Sequence, residues 1–481
     1  MKKIDYSKEI NTGISVLLSE IKEDKIYSNL IEDLFTKGIQ KLSASISSFD
    51  ILPKLTEKQI QKNFSKNIKK IFSKIKTIIK SPNLDIYRIL SCIYGSFLGD
   101  AIGAFCEFEE PNKQNSKNIF KLEKTVIGGV PGQITDDSEM ALSLAYAIMD
   151  NPMKKEIIVD YIYFYYGAWF KTDPLDMGNT TGNALELFDF IQFHPNLKNF
   201  NTIETIISEK NNNSLSNGFL MRKSPLIAWL YYRFNTEIKN AFTGENNKND
   251  IFDLYKIIKD SSSPDNKCTN PNLLTNAASA IYCLMALMAI KGLKANQIII
   301  DISNLCEDTN FINNSDGEKE ISEKILYYIN MFKSPEFDLW NNFGDKDNKE
   351  CVYHNMGYYL HAIKLTLYYL INFDKIAQNN IKKKYREIMN QICDLGGDTD
   401  TNSCIVGGVL GPLIGMANFG SELNKMYELV PPNRFIYSPA FILIYVIYLM
   451  KSNEDDNLIQ NNKYFLQQIL TMLYGDIDLK Y

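Results

Sequence analysis

Two short stretches far apart in the chain, Gly132-Gln-Ile-Thr-Asp-Asp-Ser-Glu-Met140 and Gly396-Gly-Asp-Thr-Asp-Thr-Asn402, each set two carboxylates and a hydroxyl within a few residues at the expected mouth of a helix. Asp136, Asp137, Asp398 and Asp400 would repel one another if brought together uncompensated, so convergence calls for cations. An all-oxygen donor set suits hard divalent ions, Mg²⁺, Mn²⁺ or Ca²⁺, over zinc. Taken alone, the first stretch reads equally well as a helix start. Thr135 suits an N-cap, and carboxylates in a first turn are favoured by the helix dipole.

The second stretch is harder to explain structurally. Gly396 and Gly397 allow a tight backbone path into Asp398 and Asp400, ahead of a small-residue helix from Ser403 to Gly415. An EF-hand loop starting at Asp398 would need Gly at its sixth place and Glu at its twelfth, where this chain has Ser403 and Val409, so that reading fails. The Asp-x-Asp-x-Thr loop of haloacid-dehalogenase-type phosphatases ranks a distant second. Its aspartates follow a hydrophobic strand, whereas these follow Leu395-Gly396-Gly397, and Asn402 stands where that motif has Thr or Val.

The elements that must position these groups read as helices. Ile86 to Phe105, Met140 to Met149, Thr275 to Ile290 and Tyr358 to Ile371 are apolar and free of proline, without the strict alternation of a half-buried strand. On the first, Gly95, Gly99 and Gly103 form a close-packing stripe, and Asp100 and Glu107 call for partners on an otherwise apolar helix. Ser216-Asn217-Gly218 through Pro225 combines a turn with a helix start whose N–H groups can receive a phosphate. Asn- and Lys-rich stretches at Asn112 to Asn118, Glu209 to Ser214, Gly244 to Asp250 and Asn341 to Lys349 read as solvated loops.

A chain of 481 residues, 45% hydrophobic and 23% charged, can bury a large core. A net charge of −5 gives no overall indication of nucleic-acid binding. Eight cysteines without Cys-x-x-Cys spacing point to a reducing, cytoplasmic compartment. The start, MKKIDYSKEINTG, lacks the apolar core of a secretory signal. Phe435 to Met450 is shorter than the roughly 20 residues of a membrane span and reads as a buried helix.

Residues 1–84 differ in character from 85–481. Lys58, Lys62, Lys66, Lys70 and Lys74 recur every four residues beside an apolar stripe of Ile60, Phe64, Ile68, Ile71, Phe72, Ile75 and Ile79. Such a basic amphipathic helix suits an anionic membrane surface or a partner, although its usual fate is to pack on the protein's own core. Ser81-Pro82 marks the boundary between this N-terminal helical extension and the main domain.

In this order, Gly99-Asp100-Ala-Ile-Gly103 with Glu107, Thr135-Asp136-Asp137, Ser216-Asn217-Gly218 with Met221-Arg222, and Gly396-Gly397-Asp398-Thr399-Asp400-Thr401 resemble the ADP-ribosylglycohydrolase family over residues 85 to 450. The resemblance implies a compact all-α bundle of orthogonal helices around a central cleft holding two Mg²⁺ ions, with Mn²⁺ as a substitute. It implies hydrolysis of the N- or O-glycosidic bond joining ADP-ribose to a protein side chain, with an ADP-ribosylated protein or ADP-ribose as partner. Thr135, Asp136, Asp137, Asp398, Asp400 and Thr401 are then metal ligands, and Glu107 is the acid or base near the metals, with Asp398 or Asp400 as the alternative base. Ser216, Asn217, Gly218, Met221 and Gly397 would line the ribose and diphosphate pocket, and Asn179 and Thr180 another of its walls. Asn270 departs from the histidine many relatives carry there, which changes charge and reach at a substrate-contacting position. His194, His354 and His361 fall in no family motif, so histidine-based catalysis is not expected. The family also contains members that have lost activity, which leaves an ADP-ribose-binding or structural protein as the alternative function.

Overall fold

The computed structural model describes residues 84–119, 124–150, 156–188, 200–243 and 247–420, with individual positions between 422 and 449. The Lys58 to Lys74 stretch, the Ser81-Pro82 boundary and His194 lie outside the described residues. Regular structure among the described residues is all-α, and the one extended pairing there is an isolated bridge between Ser216 and Tyr358. The longer helices are α1 (Leu84–Gly103), α2 (Asp136–Asp150), α3 (Val159–Phe170), α4 (Asn179–Leu185), α5 (Phe200–Asn211), α6 (Ser224–Arg233) and α7 (Asn235–Thr243). There follow α8 (Asn247–Lys267), α9 (Leu273–Lys291), α10 (Ala295–Glu307), α11 (Asp316–Lys333), α12 (Tyr359–Ile371), α13 (Ile381–Leu395) and α14 (Thr399–Ile414).

Helix α9 is the axis of the bundle. Its side chains are apolar on every face, the pattern of a helix surrounded by protein, and α1, α8, α11 and α14 flank it. It is the one described helix long and apolar enough to cross a membrane, and it lies buried inside the domain. Asn272 caps its start by accepting from the Thr275 amide at 2.8 Å, and Gly292, at φ +93°, ends it.

The closest helix pair is α1 with α14. The glycine stripe of α1 makes this possible: a Cβ at Gly95, Gly99 or Gly103 would fall within 2.5 Å of backbone atoms of Gly407, Ser403 and Asp400 respectively. Gly407 and Gly411 present bare backbone in return. The two helices therefore meet backbone to backbone, which brings Asp100 opposite the N-terminal turn of α14.

All four expected loops contain some helix, the Asn112 to Asn118 stretch as a 3₁₀ turn over Asn115–Asn118. From Asn247 onward the Gly244 to Asp250 stretch is already α8, and α5 runs to Asn211 inside the Glu209 to Ser214 stretch. Leu339–Phe343 forms a helical turn, because Asp338 accepts from the Asn341 amide as an N-cap. Helix α1 stops at Gly103, so Glu107 stands in the turn beyond it. At Phe435 to Met450 the described apolar positions are buried, and Tyr445 donates to the Pro225 carbonyl at 2.7 Å. All eight cysteines are buried free thiols.

Candidate active site

The two acidic motifs converge. Asp136 and Asp137 open α2, and Asp398 and Asp400 flank the start of α14. Gly396 and Gly397 make that approach at φ +71° and +80°, where a Cβ would also strike the Glu109 and Val352 carbonyls. No strand precedes these aspartates, so the phosphatase loop is overturned.

Thr135 is the hinge of the arrangement: it stands at the N-cap position of α2, where its carbonyl accepts from the Glu139 amide at 3.1 Å, while its hydroxyl turns to the acids. Its hydroxyl donates to Asp100 Oδ1 at 2.9 Å and lies 3.2 Å from Asp137 Oδ2 and 3.4 Å from Asp400 Oδ2. Asp100, fully buried, also accepts from the Thr135 amide and from the amide and hydroxyl of Ser138. A buried carboxylate takes the donors its desolvation demands, and here it orients the first turn of α2. Thr401 Oγ1 reaches Asp137 Oδ2 at 3.4 Å from the other side.

Oxygen atoms of Asp100, Asp137 and Asp400 lie within 4.8 Å of one another, as do those of Glu107, Asp398 and Asp400. Asp400 belongs to both groups. Burial raises the Asp136, Asp137 and Asp400 carboxyls well above the usual range, and neighbouring carboxylates add to it. Glu107 is pushed up to about 9, first by burial and then by Asp176, Asp398, Asp136 and Asp100. Asp100 rises to about 7 from burial, offset by its hydrogen bonds.

Several buried acids elsewhere among the described residues are matched by cations. Glu139, in the same first turn as Asp136, pairs with Arg434 and accepts from Trp169 Nε1 at 2.8 Å, and Asp265 holds both Arg222 and Lys223. Among the described residues no Lys, Arg or His pairs with Glu107, Asp136, Asp137 or Asp400. Glu107 Oε2 and Asp137 Oδ1 are buried without a hydrogen-bond partner among the described residues. Hard oxygen donors, uncompensated charge and orphaned carboxylate oxygens together fit divalent cations.

A cleft of about 710 Å³ opens above this cluster. Glu107, Asp136, Asp398 and Thr401 line one side, and Asn179, Thr180, Ser216, Asn217, Gly218 and Met221 line the other. Asn217 Nδ2 donates to Asp398 Oδ2 at 2.7 Å, so this side chain crosses from wall to acid cluster. Thr135, Asp137 and Asp400 sit buried beneath the surface. Two expected contacts lie behind the walls. Gly397 packs under Val352, and Asn270 is buried with Nδ2 facing Ser214 and Ser216 oxygens at 3.3–3.5 Å.

Among the cleft residues that escaped the sequence reading are three with polar side chains: Asp176, Asn355 and Tyr358. Asp176 had a local signal, an acid between Pro174 and Gly178 in the loop leading to Asn179. Asn355 and Tyr358 reach the cleft through long-range pairing, since the Asn217 amide donates to the Gly357 carbonyl at 2.8 Å. The cleft lining contains four carboxylates, Glu107, Asp136, Asp176 and Asp398, and no basic side chain among the described residues.

An all-helical domain with a carboxylate-lined cleft at paired helix N-termini defines the class of protein. The ADP-ribosylglycohydrolase family model matches residues 81–428, and the chain belongs to this family of hydrolases acting on ADP-ribosylated substrates. A protein of Acanthamoeba polyphaga mimivirus that carries an ADP-ribosyl glycohydrolase name is 27% identical over 351 residues, 69% of this chain and 88% of that one. The ADP-ribosyl-[dinitrogen reductase] glycohydrolase of Rhodospirillum rubrum is 35% identical over 106 residues, 21% of this chain and 34% of its own. A solved structure titled as an ADP-ribosylglycohydrolase-related protein complex aligns with a TM-score of 0.45 at 16% identity, over 77% of this chain and 99% of its own.

Proposed function

We propose that this protein hydrolyses the glycosidic bond between C1 of ADP-ribose and a protein side chain, with Asp136, Asp137, Asp398 and Asp400 and the Thr135 and Thr401 hydroxyls holding two Mg²⁺ ions, or Mn²⁺ in their place. The observation that carries this reading is the set of buried acids without cationic partners at the floor of the cleft. When bound, such ions neutralise the acids and polarise hydroxyl groups and water.

The chain's own residues supply position and proton transfer. Cleavage at an anomeric carbon builds oxocarbenium character, so the sugar must be oriented while the leaving atom gains a proton and water attacks. Asn217, Gly218 and Met221 form the wall against which ribose and diphosphate seat, with Asn179 and Thr180 extending it on the same side. Glu107 stands at the cleft surface beside Asp398, where its carboxyl gives a proton to the leaving side-chain atom or takes one from water. Asp398, half-buried and oriented by Asn217, is the alternative base.

The test is release of ADP-ribose from arginine-linked and serine-linked ADP-ribosylated proteins, with and without Mg²⁺, alongside Asp398→Asn. Metal-dependent release absent from the variant supports the reading and identifies the linkage. ADP-ribose binding without release from any substrate would make the protein a reader.

A further inference from the structure

We propose that Phe108 and Leu175 form an apolar rim beside Glu107 that holds the polypeptide flanking the modified residue of an ADP-ribosylated protein, and so favours targets with an apolar neighbour there. This inference rests on the glycohydrolase reading above and adds to it a specificity for the protein part of the substrate.

Phe108 stands where the backbone is strained. It follows Glu107 in the turn after α1, at φ +63°, in the left-handed region that a bulky side chain rarely adopts. Two main-chain hydrogen bonds hold it there: the Phe108 amide donates to the Gly397 carbonyl at 2.8 Å, and the Gly397 amide to the Glu109 carbonyl at 2.9 Å. Glycine would take this conformation freely. The ring does not offset the strain by packing in the core, because Phe108 is 49% exposed and lines the cleft. Strain held at a cleft points to a contact made there with a ligand. Leu175, 37% exposed, precedes Asp176, which shares the cleft lining with Glu107 and Phe108. Its side chain packs on the loop that leads to Thr135, where a Cβ at Gly129 would lie 2.8 Å from Leu175 Cδ2.

The occupant follows from the direction of the reaction. With ribose and diphosphate on the Asn217, Gly218 and Met221 wall, the leaving side chain departs at Glu107, and the polypeptide carrying it must lie across the residues beside Glu107. The adenine base, the other apolar group of the substrate, is attached at the far end of the diphosphate. Exposed Glu109 and Asp173 border the rim and would repel an anionic lipid surface. An apolar side chain next to the modified residue is thus the group that removes Phe108 and Leu175 from water.

The test uses arginine-linked and serine-linked ADP-ribosylated peptides, each made with leucine or with asparagine on both sides of the modified residue, and free ADP-ribose as a competitor. For whichever linkage the full chain cleaves, KM is expected to be about tenfold lower for the leucine peptide at similar kcat. Phe108→Ser/Leu175→Ser should erase that preference while leaving the inhibition constant of ADP-ribose within about twofold of the parent's. Phe108→Gly, whose backbone takes the left-handed turn freely, gives the same test should the double variant unfold. A parent without the preference, or a preference that survives in the variants, overturns the proposal. So does a matching rise in the ADP-ribose inhibition constant, which would place Phe108 on the nucleotide. A parent that releases ADP-ribose from neither linkage overturns the glycohydrolase reading and this inference with it.

Discussion

The two sides of the cleft are built on different principles. The acid side rests on α1 and α14 meeting backbone to backbone, so the Asp100, Asp398 and Asp400 positions are fixed by main chain. The wall side is assembled from segments distant in sequence and stitched by side chains. Asn211 Nδ2 ties the Thr180 and Thr269 carbonyls together at 2.8 and 3.0 Å, and Arg222 grips the Asp265 carbonyl and the Thr269 hydroxyl. Contacts through bare backbone tolerate almost no substitution, whereas a stitched wall can be re-cut one side chain at a time. Chemistry sits on the first and substrate recognition on the second.

The harshest test of this contrast is Asp400→Asn. Asp400 joins both oxygen groups, so turnover is expected to fall about a thousandfold, near 4 kcal/mol, in an ADP-ribose release assay. Stability should move the opposite way. With metal removed, the variant loses one of several mutually repelling buried carboxylates and should melt above the parent, while a lower melting point would show Asp400 to be structural.

Metal removal extends the same logic to pH. Folding raises the carboxyls of this cluster, so the folded state binds more protons than the unfolded one above their unfolded values near 4. Metal-free stability should therefore decline from about pH 4 upward, through about 7 for Asp100 and towards about 9 for Glu107. A fixed Mg²⁺ concentration about a hundred times its dissociation constant at pH 7 is expected to add about 2.7 kcal/mol per site there, and more at pH 8 than at pH 5, measured by thermal unfolding with and without chelator. Equal metal stabilisation at both values would break the reading of uncompensated acids.

Gly103→Ala probes the packing that holds these acids. The added methyl would lie 2.3 Å from the Asp400 Cα and from the Thr399 carbonyl, both backbone, so α14 must shift. A loss of about 2 kcal/mol in denaturant unfolding is expected, as for overpacked cores, together with weakened Mg²⁺ binding. An unchanged midpoint would mean that the helix pair is looser than its contacts indicate.

This contrast also explains what could be read from sequence. The glycine stripe of α1 and both acidic motifs are local patterns, each carrying its own reason within a few residues, and the helices carrying them follow from uninterrupted apolar runs. Sequence could not separate Glu139 from Asp136 in the same first turn, because the difference is Arg434, 295 residues away. It placed Thr135 at the mouth of α2 but could not give its hydroxyl a partner, since only folding brings Asp100 to it. Asp176, Asn355 and Tyr358 stayed hidden because the wall is defined by pairings such as Ser216 with Tyr358 across a long stretch of chain.

The mildest change falls on that stitched wall, at Asn270. Its Nδ2 makes only long hydrogen bonds to the Ser214 and Ser216 oxygens, and its buried Oδ1 has no partner among the described residues. Asn270 therefore positions the turn that carries Asn217 without touching the cleft itself. Removing these bonds in Asn270→Ala is expected to cost about 1 kcal/mol, expressed as a KM raised about fivefold with kcat within about twofold. Asn270→Gln, which keeps the amide, should recover part of the loss if the turn can accept the longer side chain. A fall in kcat at constant KM would instead place this residue in contact with the reacting atoms, and the division between a chemical side and a recognition side would fail at that position.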